Sequence, residues 1–163
     1  MKQRIVVTGV GPITPIGIGK EAFWDALLAG KNGIDRITRF DATRYAAQIA
    51  GEVKDFSIDG YIDKKEAKRM DRYAQFAVVS AGMAIADAGL DLDSEDRDRI
   101  GAYVGEGIGG IETMHSTYER LFDKGPERVS PFFIPMMIAN MAAGQVAINY
   151  GLHGPVSCVV TAC

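Results

Sequence analysis

Little in this sequence could hold a metal or a covalent staple. Among 163 residues there are two cysteines and two histidines. Cys158 and Cys163 stand close together on one expected strand, a placement that suits neither a disulfide framework nor a zinc site. No metal site is expected, and sparse cysteine points to a reducing, cytoplasmic setting. No charge of one sign dominates either. The net charge of −3 leaves the chain as a whole without a nucleic-acid footprint, so an anionic partner would need a local basic patch. The longest apolar stretch, Phe132 to Ala143, is broken by Pro135 and Asn140 and is too short to cross a bilayer. Met1 to Arg4 run directly into a strand pattern with no apolar leader, so secretion is not expected. Repeats and low-complexity tracts are missing as well.

What is present is the composition of a soluble globular protein, 47% hydrophobic and 24% charged, of about one domain's length. That length suffices for a real core. Ile5 to Val10 is a β-branched run without alternation, which predicts a central strand covered on both faces. Gly11 to Gly17 is too rich in proline and glycine for regular structure. Lys20 to Ala29 predicts a short amphipathic helix with Phe23, Trp24 and Leu27 inward and Gly30 as its stop. Gln48 to Val53 reads as a short exposed strand or loop excursion. Apolar residues recurring from Ala67 to Ala88 at a helical period predict one long helix from about Lys64, ended by Gly89. Ile100 to Val104 predicts a second core strand, and a helix follows from about Ile111. Ser130 to Pro135 reads as an apolar segment held extended by its prolines, leading into a helix over Met136 to Asn149. Val156 to Thr161 predicts a third buried strand. The order β-α-β-α-β implies an α/β fold with a largely parallel sheet.

Several stretches could carry chemistry. Cys163 stands just past a strand end, where an α/β fold places reactive groups. A following helix would favour the thiolate through its free N–H groups and dipole. A packed, inert thiol is the competing reading. Gly105-Glu106-Gly107-Ile108-Gly109-Gly110 spells a G-x-G-x-x-G pattern after a strand. Glu106 stands where a pyrophosphate would be repelled, and no ribose-binding acid follows on a later strand. The better reading is a backbone that must pass close to something. The Gly11 to Gly17 loop fails the same fingerprint, because Pro12 removes a needed donor. Lys65, Lys68, Arg69 and Arg72 fall at i, i+3, i+4 and i+7, on one face of the long helix. They form either a solvated face or a docking patch. The aromatic and methionine-rich segment from Phe132 to Met141 is either core or the wall of an apolar tunnel. His115 and His153 have no evident carboxylate or metal partner nearby and read as structural or surface residues.

Six ordered blocks then resemble one family. They are Val6 to Gly11, Met70 to Tyr73, Gly105 to Gly110, Arg128 to Pro135, Asn140 to Gly144 and Val159 to Cys163. Together they are similar to the 3-oxoacyl-[acyl-carrier-protein] synthases, above all the type II condensing enzymes of dissociated bacterial fatty acid synthesis. Glu106 departs from the pattern, since the family usually has a small residue there. The resemblance implies a thiolase-like α/β fold of two similar halves, with a mostly parallel mixed sheet and helices on both faces. Residues 1–163 would be most of the N-terminal half, ending at the nucleophile.

The resemblance also implies the chemistry. Cys163 would be the nucleophile, taking an acyl group from the phosphopantetheine of acyl carrier protein. Malonyl-carrier protein would then lose carbon dioxide, and its carbanion would attack the acyl-enzyme to give 3-oxoacyl-carrier protein. The nucleophile's own N–H would form part of the oxyanion hole. Ile108 and Phe133 would line the acyl pocket, Phe133 across a homodimer interface. Lys65, Lys68 and Arg69 would dock the carrier protein, and Cys158 would be packed and inert. No cofactor of the protein's own is implied. Two histidines and a lysine that support decarboxylation in the family fall beyond residue 163, so residues 1–163 alone are expected to be inactive. Three alternatives stand beside this reading. They are a polyketide-type ketosynthase, a nucleotide-binding oxidoreductase using Gly105 to Gly110, and an inert structural half-domain.

Overall fold

The computed structural model describes residues 4–162, and the chain forms two compact units. The first comprises the chain through Ser57 together with Met83–Gly89. The second comprises Ile58–Gly82 and the chain from Leu90 onward.

In the first unit the expected opening strand does not form. Residues 4–12 carry no strand assignment, and Ile5, Val6 and Val7 are 96%, 63% and 84% exposed. A β-branched run becomes a strand only where a neighbouring edge offers hydrogen bonds, and this run meets none among the described residues. Its anchor is a side chain instead. The Val10 N–H donates to Asp87 Oδ2 at 3.0 Å, and Lys20 pairs with the same carboxylate. The proline-rich loop does contain regular structure, a two-residue hairpin of β1 (Ile13–Thr14) and β2 (Gly17–Ile18). Thr14 Oγ1 makes it, accepting the Gly17 N–H at 3.1 Å and donating to the Gly17 carbonyl at 2.8 Å.

Helix α1 (Lys20–Leu28) ends as its glycine predicts, with Gly30 at φ 62° and the Lys31 N–H returning to the Ala26 carbonyl. Its inward residue is Ala26; Phe23 is half-buried, while Trp24 and Leu27 are exposed. The amphipathic pattern named a face, but within this unit only the small residue of that helix finds a surface to close on. Strands β3 (Asp35–Arg36) and β4 (Ile49–Ala50) pair antiparallel, which realises the predicted short excursion.

The expected long helix from Lys64 is interrupted. Helix α2 (Lys64–Ala67) is a single turn, and α3 runs Arg72–Asp87. Asp63 caps α2 through the Lys65 N–H at 2.7 Å. The break spans Lys68 to Asp71, within which Met70 and Asp71 are buried. The Asp71 carbonyl accepts the Ala74 N–H, while its carboxylate reaches the Thr113 N–H at 2.8 Å. With Oδ1 accepting the Tyr73 N–H at 3.4 Å and Oδ2 engaged 42 residues away, the Asp71 side chain favours a helix start at α3 over a mid-helix position. Gly89 stops α3 as predicted, at φ 62°.

The core of the second unit is Ala74, Val78 and Val79 of α3 with Ala142 and Ala143 of α6 (Met141–Tyr150), all at most 2% exposed. The Tyr150 hydroxyl donates to the Val78 carbonyl at 2.9 Å. β5 (Ala102–Glu106) and β6 (Val156–Val160) pair in parallel, and α6 packs on both. The other expected helices divide differently. α4 spans Ile111–Lys124, and Phe133–Met137 forms a short helix α5, not an extended segment. Pro131 lies ahead of α5, and Pro135 falls within its first turn, where a missing N–H costs no helical bond.

Candidate functional site

The two parallel strands end level, and the turn bearing Ile108 and the residue Ala162 both follow that end. Their register pairs Ala102 with Val156, Val104 with Cys158 and Glu106 with Val160. Both carboxyl ends therefore finish level. Ile108 lies two residues beyond Glu106, and Ala162 lies two residues beyond Val160. In open α/β sheets, ligands bind outside the carboxyl ends of the strands. Cys163 follows Ala162 and lies outside the described residues. Ala162 has φ 43°, a left-handed backbone that costs a non-glycine residue on the order of 1–3 kcal/mol and gathers at functional sites.

The glycine turn between β5 and α4 has two unlike halves. Gly105 and Gly107 have open space where a side chain would stand. Gly109 and Gly110 do not. A Cβ on Gly109 would come 2.7 Å from the Met137 carbonyl oxygen, and one on Gly110 would come 2.9 Å from Met137 Cα. The Gly110 N–H donates to the Met137 carbonyl at 3.0 Å. The something that this backbone passes close to is α5. Ile108 directly precedes that held pair and is 66% exposed, and Phe133, the first residue of α5, is half-buried.

Beneath the turn lies a group of polar side chains. Asp71 is 6% exposed and caps α4 through the Thr113 N–H. Tyr73 donates to the Ile138 carbonyl at 2.6 Å, fixing the segment between α5 and α6. Glu106 Oε1 is sealed from solvent and meets no hydrogen-bond partner among the described residues. Burial, then the nearby Asp71 charge, pushes the Glu106 carboxyl up to about 7 from an ordinary 4.5. Burial, followed by Glu106, Asp71 and Cys158, raises the Tyr73 hydroxyl. The half-buried Cys158 thiol is raised by burial and then by Glu106, which makes it a poor nucleophile.

The sequence flagged Glu106 as a misfit but assigned no role to Asp71 or Tyr73. A carboxylate closing an otherwise apolar strand was the available signal for the first. Nothing local signals the other two, whose partners lie 42 and 65 residues away.

The basic residues are only partly brought together. Lys65, Lys68 and Arg69 are all exposed on and just after α2. Arg69 lies 3.8 Å from Glu66 and stacks 4.7 Å above the Phe132 ring. Arg72 belongs to a different helix and stacks on Phe76, so the single face from Lys65 to Arg72 does not exist. The histidines are surface residues, but each has a carboxylate neighbour. His115 is 3.5 Å from Glu119, and His153 is 3.0 Å from Asp98. No helix is long and apolar enough to cross a membrane, and no metal-competent cluster occurs among the described residues.

A family model for the beta-ketoacyl synthase N-terminal domain matches residues 2–163. The chain is 52% identical over 161 residues to 3-oxoacyl-[acyl-carrier-protein] synthase 2 of Staphylococcus aureus (strain COL), covering 99% of this chain and 39% of that protein. It is 53% identical over 162 residues to the enzyme of the same name from Synechocystis sp., again covering 39% of it. The chain thus spans about two fifths of the length of the curated relatives it matches. Among solved structures, the ishigamide ketosynthase/chain length factor superposes with a TM-score of 0.81 at 29% identity, over 96% of this chain and 39% of that one. The fold is the α/β, thiolase-like fold of those proteins.

Proposed function

The chain belongs to the beta-ketoacyl synthase family, and on that premise we propose that the intact protein condenses malonyl-acyl carrier protein with an acyl-enzyme thioester in type II fatty acid elongation. The observation that carries the proposal is the level register of β5 and β6. It sets the Ile108 turn and the strained residue before Cys163 past the same end of adjacent strands.

Cys163 is the nucleophile in this reading. Its thiolate attacks the carrier-bound thioester carbonyl, the new carbon–sulfur bond forms, and the phosphopantetheine thiol leaves. Malonyl-carrier protein then loses carbon dioxide. The resulting carbanion attacks the acyl-cysteine, and the Cys163 thiolate departs. Cys158 takes no part, because its half-buried thiol is held protonated. Ile108 and Phe133 line the acyl pocket, with Phe133 supplied across a homodimer interface. No cofactor beyond the carrier's phosphopantetheine takes part, and the setting is cytoplasmic.

Lys65, Lys68 and Arg69 dock the acidic carrier protein. The net charge of −3 would repel such a partner, so a local basic patch has to guide it. Each exposed contact contributes on the order of 0.2–1 kcal/mol, less in high salt. Three together approach tenfold in affinity, since about 1.4 kcal/mol is a factor of ten. A polyketide-type substrate is the second reading, favoured by the likeness to the ishigamide ketosynthase/chain length factor. The 52% identity to 3-oxoacyl-[acyl-carrier-protein] synthase 2 of Staphylococcus aureus favours the first.

The test is acyl transfer to the intact protein, read by peptide mass after mixing with acyl-carrier protein. Acyl mass on the Cys163 peptide, lost in Cys163→Ala, is expected; acylation at Cys158 overturns the assignment. Ile108→Phe is expected to block long acyl chains more than short ones. Lys65→Glu with Lys68→Glu is expected to raise KM for the carrier-bound substrate and flatten its salt dependence. A small acyl-pantetheine mimic should turn over unchanged.

A further inference from the structure

Glu106 is the last residue of β5 and opens the turn that carries Ile108. By strand alternation its side chain shares the covered sheet face with Ala102 and Val104, and by register with Cys158. Its Oε1 is shut away from water with no donor to satisfy it among the described residues. An ionised carboxylate in that position is costly unless paired. At the other end of the turn stands a second carboxylate, Asp71. Its Oδ2 is 3.2 Å from where a Cβ on Gly110 would be, and it holds the Thr113 N–H at 2.8 Å. Two carboxyl groups therefore flank the four residues Gly107 to Gly110.

We propose that Glu106 is a proton-operated positioning residue for this turn, seating it when neutral and loosening it when ionised. Asp71 cannot yield without surrendering the cap of α4. The Glu106 side chain can, because nothing stands within 4 Å of where a Cβ on Gly107 would be, while the Glu106 backbone stays paired opposite Val160. Gly109 and Gly110 stay held on α5. Ile108 sits between the loose half and the held half, so a shift at Glu106 is delivered to Ile108.

The groups facing Glu106 are Asp71 ahead of α3, Tyr73 on α3 and Cys158 on β6. Tyr73 and Cys158 are both raised, and among the described residues Asp71 is the charged neighbour that raises Glu106. Burial and Asp71 bring the Glu106 transition to about 7. The sign follows from linkage. A carboxyl raised in the folded state contributes stability that is complete at low pH, declines from the ordinary 4.5 and is lost by about 7.

The functional consequence rests on the reading of Ile108 as an acyl-pocket residue; the motion itself does not. The test uses the intact protein labelled at isoleucine methyl groups, with the Ile108 signal assigned by Ile108→Val. Its shift is followed by NMR from about pH 5 to about pH 9, a range that brackets a displaced carboxyl. The Ile108 methyl is expected to titrate with a midpoint of about 7. Glu106→Gln is expected to hold it at its acid limit throughout. Asp71→Asn, which keeps a capping side chain, is expected to move the midpoint toward the ordinary carboxyl range. A flat wild-type profile, an unchanged titration in Glu106→Gln, or an unmoved midpoint in Asp71→Asn overturns the proposal. If the methyl titrates as expected but the preference for long over short acyl chains does not follow pH, the proton-operated turn stands and the acyl-pocket reading of Ile108 falls.

Discussion

Ile5 to Val10 and Val156 to Val160 are both valine-rich runs, and the structure pairs only the second, which is itself not buried, with Val156 and Val160 45% and 48% exposed. Both are β-branched runs, and both predict buried strands. Val156–Val160 pairs with β5 along its whole length and rests on α6. Ile5 to Val10 joins no strand among the described residues and leaves Ile5 almost fully exposed. The difference lies in their neighbours. The later run meets an open edge with matching length and direction. The earlier run meets an aspartate side chain, which satisfies one N–H and gives no ladder. Strand propensity describes fit to a half-buried pleated surface, and without that surface it has no outlet.

The largest expected effect sharpens this contrast with one charge in each region. Ala102→Asp would bury a carboxylate beneath the parallel pair, where the alanine is 6% exposed. It should cost on the order of 3–5 kcal/mol in urea unfolding of this chain. Val7→Asp, at a site 84% exposed, should change stability by no more than about 0.5 kcal/mol. A loss of several kcal/mol from Val7→Asp would break the comparison, since it would mean that the opening run is buried after all.

A smaller effect is expected at the turn leaving β5. Gly110→Ala pushes a methyl into the α5 backbone at Met136 and Met137 and should cost about 1–3 kcal/mol. Gly107→Ala, with open space around it, should leave stability level or raise it by up to about 1 kcal/mol. Equal losses in the two variants would show that the held and free halves of the turn do not differ.

The smallest effect concerns the anchor of the unpaired run. The Asp87 carboxyl is held below its usual 3.8 by its bond to Lys20 and then by the Val10 N–H. A depressed carboxyl contributes stability that is present above 3.8 and is lost as pH falls through the lower folded value. Asp87→Asn should therefore lower the melting temperature slightly at neutral pH and leave it unchanged in strong acid. An effect that persists in acid would point to packing and not to charge at this contact.

Much of the candidate site could be read directly. The six family blocks, the strand–glycine turn–helix order around Ile108 and the cysteine beyond the last strand are all carried by local sequence. So are the glycine stops at Gly30 and Gly89, since a left-handed residue after a helix is a local demand. The continuous basic face was misread because helical periodicity ran through Met70 and Asp71 without interruption. The Asp71 carboxylate is claimed by Thr113, and no window of neighbouring residues contains that partner.

The sequence by itself determined which segments could be helix or strand, where their stops fall, and which family's motifs the chain carries. Each of those depends on backbone and side-chain preferences that act within a few residues. Tertiary structure alone decided that one β-branched run pairs and the other does not, that Asp71 divides a helix, and that Glu106 holds its proton near neutrality. Those outcomes depend on which distant groups come within hydrogen-bonding or Coulombic range and on how far water is excluded. Both are properties of the folded neighbourhood and are not carried by any residue alone.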